Sequence, residues 1–331
     1  MTVLVTGGGG FVGGAVVGQL LERGDAVRSL TRSPQPGLLA LGVDTRQGDL
    51  ADPDVVHSCV TGVDAVIHVA AKAGDWGPAE AYRRANVDGT RNVVDACRRA
   101  GVGRLVHTST PSVVHAGVGI EGGDESLPYA ERYDSPYPAT KALAERMVLA
   151  ANSPDLATVA LRPHLVWGPG DTQLVPRILE RARAGRLRLV GDGSALIDTT
   201  YIDDAARAHV LALDRLQPDA ACAGRAYFIS SGDPRPTRDM INGMLAAAGL
   251  PPETRSVPLP VAVAAGALVE GLWALTRRQS EPPMSRFVAR HAATAHWFDI
   301  SAARRDLGYE PTVTIEEGLR RLAASLRDAA A

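Results

Sequence analysis

Four consecutive glycines stand between the first apolar run and the first helical pattern, and no other feature constrains this chain as strongly. Val3-Leu4-Val5 reads as a buried strand, Thr6-Gly7-Gly8-Gly9-Gly10-Phe11-Val12-Gly13 follows, and Val16, Val17, Leu20 and Leu21 then recur at helical spacing. Gly7, Gly10 and Gly13 match TGxxGxxG. Glycine lets a backbone turn sharply and come close to a pyrophosphate, whose charge then rests on free N–H groups at a helix N-terminus. A glycine run can also be a mere flexible turn. Here it sits in the strand–loop–helix setting that a phosphate cradle requires.

The alternation continues. Residues 26–30, 43–47, 65–70, 105–107 and 158–161 read as further strands, with helical patterns between them, notably 79–100 and 138–151. Strands alternating with helices predict an α/β fold, a Rossmann doubly wound parallel sheet covered on both faces. After Pro163 prolines and glycines cluster and the alternation becomes irregular, although 203–213 still reads as a core helix and 226–230 as a core strand. The expected organisation is a dinucleotide-binding domain over 1–165, rejoined by 199–232. A smaller, discontinuous C-terminal substrate lobe is expected from 166–198 and 233–331. A cleft between the two is the expected ligand site.

With 331 residues and a net charge of -2, the chain has no basic field for a phosphate backbone, so nucleic acid is not an expected partner. Cys59, Cys97 and Cys222 are too few and scattered for a disulfide framework or zinc site. The eight histidines show no metal-ligand spacing, so no metal is expected. The N-terminus has no charged leader, which points to the cytoplasm. The apolar stretch 257–275 contains Pro258, Pro260 and Glu270, and reads as a substrate-covering or membrane-surface helix rather than a span.

The end of the second strand selects the dinucleotide. A carboxylate there would accept from the ribose 2′-hydroxyl of NAD, and a basic residue would suit the 2′-phosphate of NADP. The chain has Leu30-Thr31-Arg32-Ser33, which favours NADP(H), with Arg32 as a solvated loop residue the competing reading. Asp49 can accept from the adenine amino group or merely cap a turn. Tyr137 and Lys141 stand at i and i+4 on one helix face. A free phenol has a pKa of about 10, and a lysine cation beside a charged nicotinamide brings it toward neutrality. Ser109 and Thr110, at the end of the fifth strand, can hydrogen-bond a substrate carbonyl beside Tyr137.

In order and spacing, TGGGGFVG, GDL at 48–50, VAAKAG at 69–74, NVDGT at 86–90, HTST at 107–110, YPATK at 137–141 and LRP at 161–163 resemble the extended short-chain dehydrogenase/reductase family over nearly the whole chain. The resemblance implies a Ser/Thr–Tyr–Lys site made by Thr110 (with Ser109 beside it), Tyr137 and Lys141, and an Asn86 that supports the lysine. It implies cofactor contacts from Gly7, Gly10, Phe11, Val12, Gly13, Arg32, Asp49, Leu50, Ala70, Ala71, Tyr137, Lys141 and Pro163. Members acting on nucleotide sugars usually carry an arginine where this chain has Ile197, so the likeness is to the steroid-dehydrogenase-like branch. AAKAGDWG, TSTPSVVH, WGPGDTQLVPR, GRLRLVGDGS, DTTYIDDAA and EPPMSRF are similar to bacterial 2-alkyl-3-oxoalkanoate reductases of long-chain olefin and β-lactone synthesis.

That likeness implies NADPH-dependent reduction of an apolar 2-alkyl-3-oxo acid to its 3-hydroxy acid. A 3-β-hydroxysteroid or sterol dehydrogenase is the alternative, and a non-catalytic NADP-sensing protein the alternative of another class. Trp76, Trp167 and Trp273 are candidates to line an alkyl groove, although each also suits ordinary packing. Arg162 and His164 are candidates to meet a carboxylate, with a structural salt bridge the competing reading. The run Arg181, Arg183, Arg186 and Arg188 reads as a solvated helix face, with an acidic partner or a membrane surface the competing reading. A homodimer is expected, with peripheral membrane or pathway-enzyme association as a further expectation.

Overall fold

The computed structural model describes residues 1–74, 76–115, 117–276 and 282–329. Asp75 and Glu281, which fall in two of the motif stretches above, lie outside the described residues. Seven parallel strands form the main sheet. In chain order they are β1 (Thr2–Thr6), β2 (Ala26–Thr31), β3 (Asp44–Gln47), β4 (Ala65–His68), β5 (Arg104–Thr108), Ala157–Pro163 and Arg225–Ile229. Across the sheet the last two are followed by β5, β4, β1, β2 and β3.

Strand periodicity explains why β1, an interior strand of the sheet, is apolar on both faces. Val3 and Val5 face a core shared with Val16, Val17 and Leu20 of helix α1 (Phe11–Glu22). Leu4 faces the opposite core with Val56, Val60, Val66 and Val93. Side chains alternate across a strand, so a sheet covered by helices on both faces needs apolar residues at every position. Because all seven strands are parallel, their carboxyl ends gather at one edge, and ligands of open α/β sheets bind there.

After Pro163 the chain leaves this sheet and returns with Arg225–Ile229. A four-stranded sheet outside it holds Arg235–Pro236, Leu196–Ile197, His296–Phe298 and Ile120–Gly123. Two contributions differ from the sequence expectation. Ile120–Gly123 comes from the first half of the chain. Ile300, Ala303, Leu307 and Tyr309, late in the chain, are buried in the core of the large sheet.

The helical pattern over 79–100 is not one helix. It divides into Ala79–Tyr82, a π-helical turn Arg83–Asp88 and Gly89–Ala100. A π turn closes i→i+5 bonds and admits an extra residue, which apolar periodicity does not reveal. The 257–275 stretch forms the helix Leu259–Leu275, which packs on Arg286–Ala293 and leaves Val261, Leu268, Leu272 and Leu275 exposed. Among the described residues no helix is long and apolar enough to cross a membrane.

Candidate active site

The glycine loop leaves β1 and enters α1 over the sheet's carboxyl edge. Gly7 has φ +74°, and a Cβ there would lie 2.9 Å from the Ala70 Cα. A Cβ on Gly13 would lie 2.1 Å from the Gly7 carbonyl oxygen, so only hydrogen fits where helix and loop meet. Gly10 precedes the first turn of α1, its N–H donating to the Gly7 carbonyl at 2.9 Å. The loop opens into a cleft of about 1060 Å³. That is at the top of the usual range for single small ligands, about 300–1,000 Å³, so it has room for a dinucleotide with a substrate beside it. Gly7, Gly10, Phe11, Val12, Gly13, Arg32, Asp49, Leu50, Ala70, Ala71 and Pro163 all line it, and so do Ser109, Thr110, Tyr137 and Lys141. The cradle, which excludes a Cβ at Gly7 and Gly13, is the observation that fits a nicotinamide dinucleotide pyrophosphate.

Tyr137 and Lys141 lie one turn apart at the start of the helix Pro136–Ala150, whose first turn accommodates Pro136 and Pro138. One further turn brings Glu145 onto the same face. Lys141 is buried, and burial brings its ammonium down to about 8, with Glu145 partly offsetting the effect. Its Nζ donates to the Thr108 carbonyl at 2.6 Å and reaches His107 Nε2 at 3.3 Å. Burial and the Lys141 charge hold His107 well below the usual imidazole range, so the ring is neutral and accepts from the lysine. An ammonium has three donors, and these two contacts leave one for the cleft.

The hydroxyl groups differ. Thr110 Oγ1 accepts from the Ser112 N–H at 3.3 Å and lies 3.2 Å from Ser112 Oγ, capping the short turn Pro111–Val113. Ser109 Oγ is buried without a hydrogen-bond partner among the described residues. Ser112 also borders the cleft, a hydroxyl that motif reading passed over. Asn86 does not line the cleft. Its Oδ1 accepts from the Lys72 N–H at 2.7 Å, and its Nδ2 donates to the Lys72 carbonyl and to Thr140 Oγ1, each at 3.0 Å. The π turn thus aims Asn86 to clamp the 70–74 loop against the helix that carries Lys141.

At the dinucleotide end, the Arg32 guanidinium is exposed and makes no hydrogen bond or salt bridge among the described residues; its charge acts on Asp49. Asp49 Oδ1 accepts from the Ala51 N–H at 3.0 Å and Oδ2 pairs with Arg84 at 2.9 Å, which hold its carboxyl below the usual range. It therefore caps a turn while bordering the cleft.

Several sequence candidates sit elsewhere. Trp167 is buried in the second lobe, its Nε1 donating to Thr199 Oγ1 at 3.0 Å and its ring edge-on to Tyr201, so it is core and does not line the groove. Trp76 and Trp273 are not among the lining residues either. The Trp76 carbonyl is held by the Tyr82 hydroxyl at 2.9 Å, and Trp273 lies on Leu259–Leu275, which stands behind Arg286–Ala293. Arg162 is buried in a two-pronged ion pair with Glu145 at 2.6 and 3.0 Å, so it does not face substrate. Within the arginine run, Arg181 donates to the Pro283 carbonyl, and both Arg181 and Arg188 border the cleft rather than only solvent. The apolar lining comes instead from Met240, Ile241, Met244, Met284, Phe287 and Val288. Helical spacing links Met240 with Met244 and Met284 with Val288, but no spacing joins the two groups. The cleft also gathers His164, His291 and His296, whose ligand atoms all lie within 4.8 Å of one another, where sequence spacing gave no reason to expect a metal site.

This fold and constellation define an oxidoreductase of the extended short-chain dehydrogenase/reductase class, acting on an alcohol or ketone. The chain belongs to the 3-beta hydroxysteroid dehydrogenase/isomerase family, whose profile matches residues 4–261. It is 57% identical to the 2-alkyl-3-oxoalkanoate reductase of Stenotrophomonas maltophilia (strain K279a), covering 98% of this chain and 99% of the relative. It is 38% identical to a 3 beta-hydroxysteroid dehydrogenase/Delta 5-->4-isomerase of Mycobacterium tuberculosis (strain ATCC 25618 / H37Rv), over 96% of this chain and 88% of that one. Among solved structures, MoeE5 in complex with UDP-glucose and NAD superposes with a TM-score of 0.76 at 26% identity, covering both chains completely.

Proposed function

We propose that this chain reduces the ketone of a 2-alkyl-3-oxoalkanoate to the 2-alkyl-3-hydroxyalkanoate with NADPH, as a step of long-chain olefin or β-lactone synthesis. One observation carries the reading: the Tyr137–Lys141 pair lines the same cleft as the apolar side chains of Met240, Ile241, Met244, Met284, Phe287 and Val288. Two alkyl arms need such a lining, and unbranched methionine side chains adapt to arms of different length. Ile197, also in the lining, offers nothing to a nucleotide diphosphate. The 57% identity to a named 2-alkyl-3-oxoalkanoate reductase supports the same choice.

Bound reduced nicotinamide supplies a hydride to the ketone carbon. The chain's residues manage the oxygen. Thr110, with Ser109 and Ser112 beside it, holds the carbonyl oxygen by hydrogen bonding, and Tyr137 delivers a proton to it. The Lys141 cation, anchored on the Thr108 carbonyl, stabilises the phenolate that remains and offers its free N–H to the ribose. Gly7, Gly10 and Gly13 receive the pyrophosphate, and the unpaired Arg32 receives the 2′-phosphate. The association of this chain as a homodimer, and with a membrane surface or pathway enzyme, belongs to the same proposal.

The test is a cofactor-oxidation panel comparing long-chain 2-alkyl-3-oxo acids with steroid ketones, each with NADPH and NADH. Turnover of the oxo acids with NADPH is expected. Turnover confined to steroids favours the dehydrogenase reading, which the 38% identical relative supports, and overturns the oxo-acid assignment.

A further inference from the structure

His164, His291 and His296 come from a strand-end loop, a helix and the following strand, and they meet at the wall of the cleft. His291 and His296 stack with ring centroids 3.8 Å apart, and His164 stands edge-on to His296 at 4.9 Å. His296 Nε2 contacts the His291 carbonyl oxygen at 2.8 Å. A carbonyl can only accept, so Nε2 carries the hydrogen and Nδ1 presents a bare lone pair. Among the described residues that Nδ1 has no hydrogen-bond partner, nor does His291 Nδ1 or either ring nitrogen of His164. A buried polar atom without a partner costs about 1–3 kcal/mol, and several here share one pocket.

We propose that His164, His291 and His296 form a binding site for a divalent transition-metal ion of the zinc class, with its fourth coordination position toward the cleft. The lone pair on His296 decides for a cation, since an anion would be repelled there. The His291 carbonyl supplies the outer hydrogen bond that commonly fixes the tautomer of a metal-binding histidine. Imidazole nitrogens on a tetrahedral ion at about 2.0–2.1 Å lie roughly 3.3 Å apart, so side-chain rotations draw the three nitrogens inward from their present spread. His115 stands 5.1 Å from His291, centroid to centroid, and accepts from the Gly117 N–H at Nδ1. Its Nε2 therefore carries a hydrogen, so His115 is not a fourth ligand in this tautomer.

The full-length protein, stripped with a chelator, is titrated with Co²⁺ and followed by visible ligand-field absorption. Zn²⁺ is titrated in parallel by competition with a chromophoric chelator. One ion per chain with a four-coordinate cobalt spectrum is expected. His164→Gln and His296→Ala, checked for folding by circular dichroism, are each expected to weaken binding roughly 100-fold or more, beyond what outer-shell partners usually contribute. The absence of stoichiometric binding by the unmodified chain overturns the proposal, whatever the variants do. Equal binding by both variants also overturns it, because the ion then sits elsewhere. If the chain binds no metal but His164→Gln raises KM for oxo acids, the cluster is a carboxylate pocket and the metal assignment falls.

Discussion

Raising the pH through 8 is expected to remove the Lys141 proton and turnover together, while making the fold more stable. Burial brings this ammonium from 10.5 down to about 8. At 1.36 kcal/mol for each tenfold change in proton affinity, that is a penalty of about 3 kcal/mol for keeping the charge in the folded protein. The folded chain holds fewer protons than the unfolded chain between about 8 and 10.5, so stability rises with pH across that window, and the full penalty applies below it. Lys141→Met removes the titrating group and cancels the contributions of all others by difference. Urea unfolding of both proteins near pH 7 and again near pH 10.5 gives the comparison. The stability difference between variant and unmodified chain is expected to move by about 3 kcal/mol in favour of the unmodified chain as pH rises. In the unmodified chain kcat/KM is expected to fall about tenfold per unit above pH 8. A stability difference that is the same at both pH values, with a flat rate profile to pH 10, would refute the assignment of a buried, proton-bearing Lys141.

Three further outcomes follow from local geometry. Arg32→Glu is expected to invert the preference toward NADH in kcat/KM measured with both cofactors, since the exposed guanidinium has no bonded partner to lose and the new carboxylate repels a 2′-phosphate; an unchanged ratio places phosphate recognition elsewhere. Gly13→Ala forces a Cβ to 2.1 Å from the Gly7 carbonyl, so dinucleotide affinity by fluorescence titration is expected to collapse, and wild-type binding would contradict the close-packed cradle. Arg162→Met leaves Glu145 buried with the Tyr129 hydroxyl as its remaining side-chain hydrogen-bond partner among the described residues, and is expected to lower unfolding stability by about 3–5 kcal/mol. A loss below about 1 kcal/mol would mean that Glu145 takes up a proton or a new partner at little cost.

The parts of this protein written in contiguous sequence are legible in the sequence alone. Gly7 to Gly13 form a cradle because one loop joins one strand to one helix, and Tyr137 and Lys141 share a helix face because four residues make about one turn. The parts assembled from distant segments are not. Trp167 looked like a groove residue because its type suits one, but Thr199, 32 residues on, satisfies its indole and draws it into the core. The apolar wall is assembled from the helices Thr237–Ala247 and Arg286–Ala293 with Met284 just before the latter, and no period connects them. His164, His291 and His296 likewise carry no common spacing and meet only through tertiary packing. The π turn that aims Asn86 differs from an α-helix by one residue in a register, too little for hydrophobic periodicity to register.

Replacing Tyr137 by Phe tests the central assignment most directly, with NADPH binding followed by fluorescence and oxo-acid reduction followed under single-turnover conditions. The account predicts near-unchanged dinucleotide affinity and a reduction rate lower by roughly 10²–10⁴-fold, the span typical of losing a positioned general acid. Reduction at close to the unmodified rate would contradict it, because the proton would then reach the substrate oxygen from some other group.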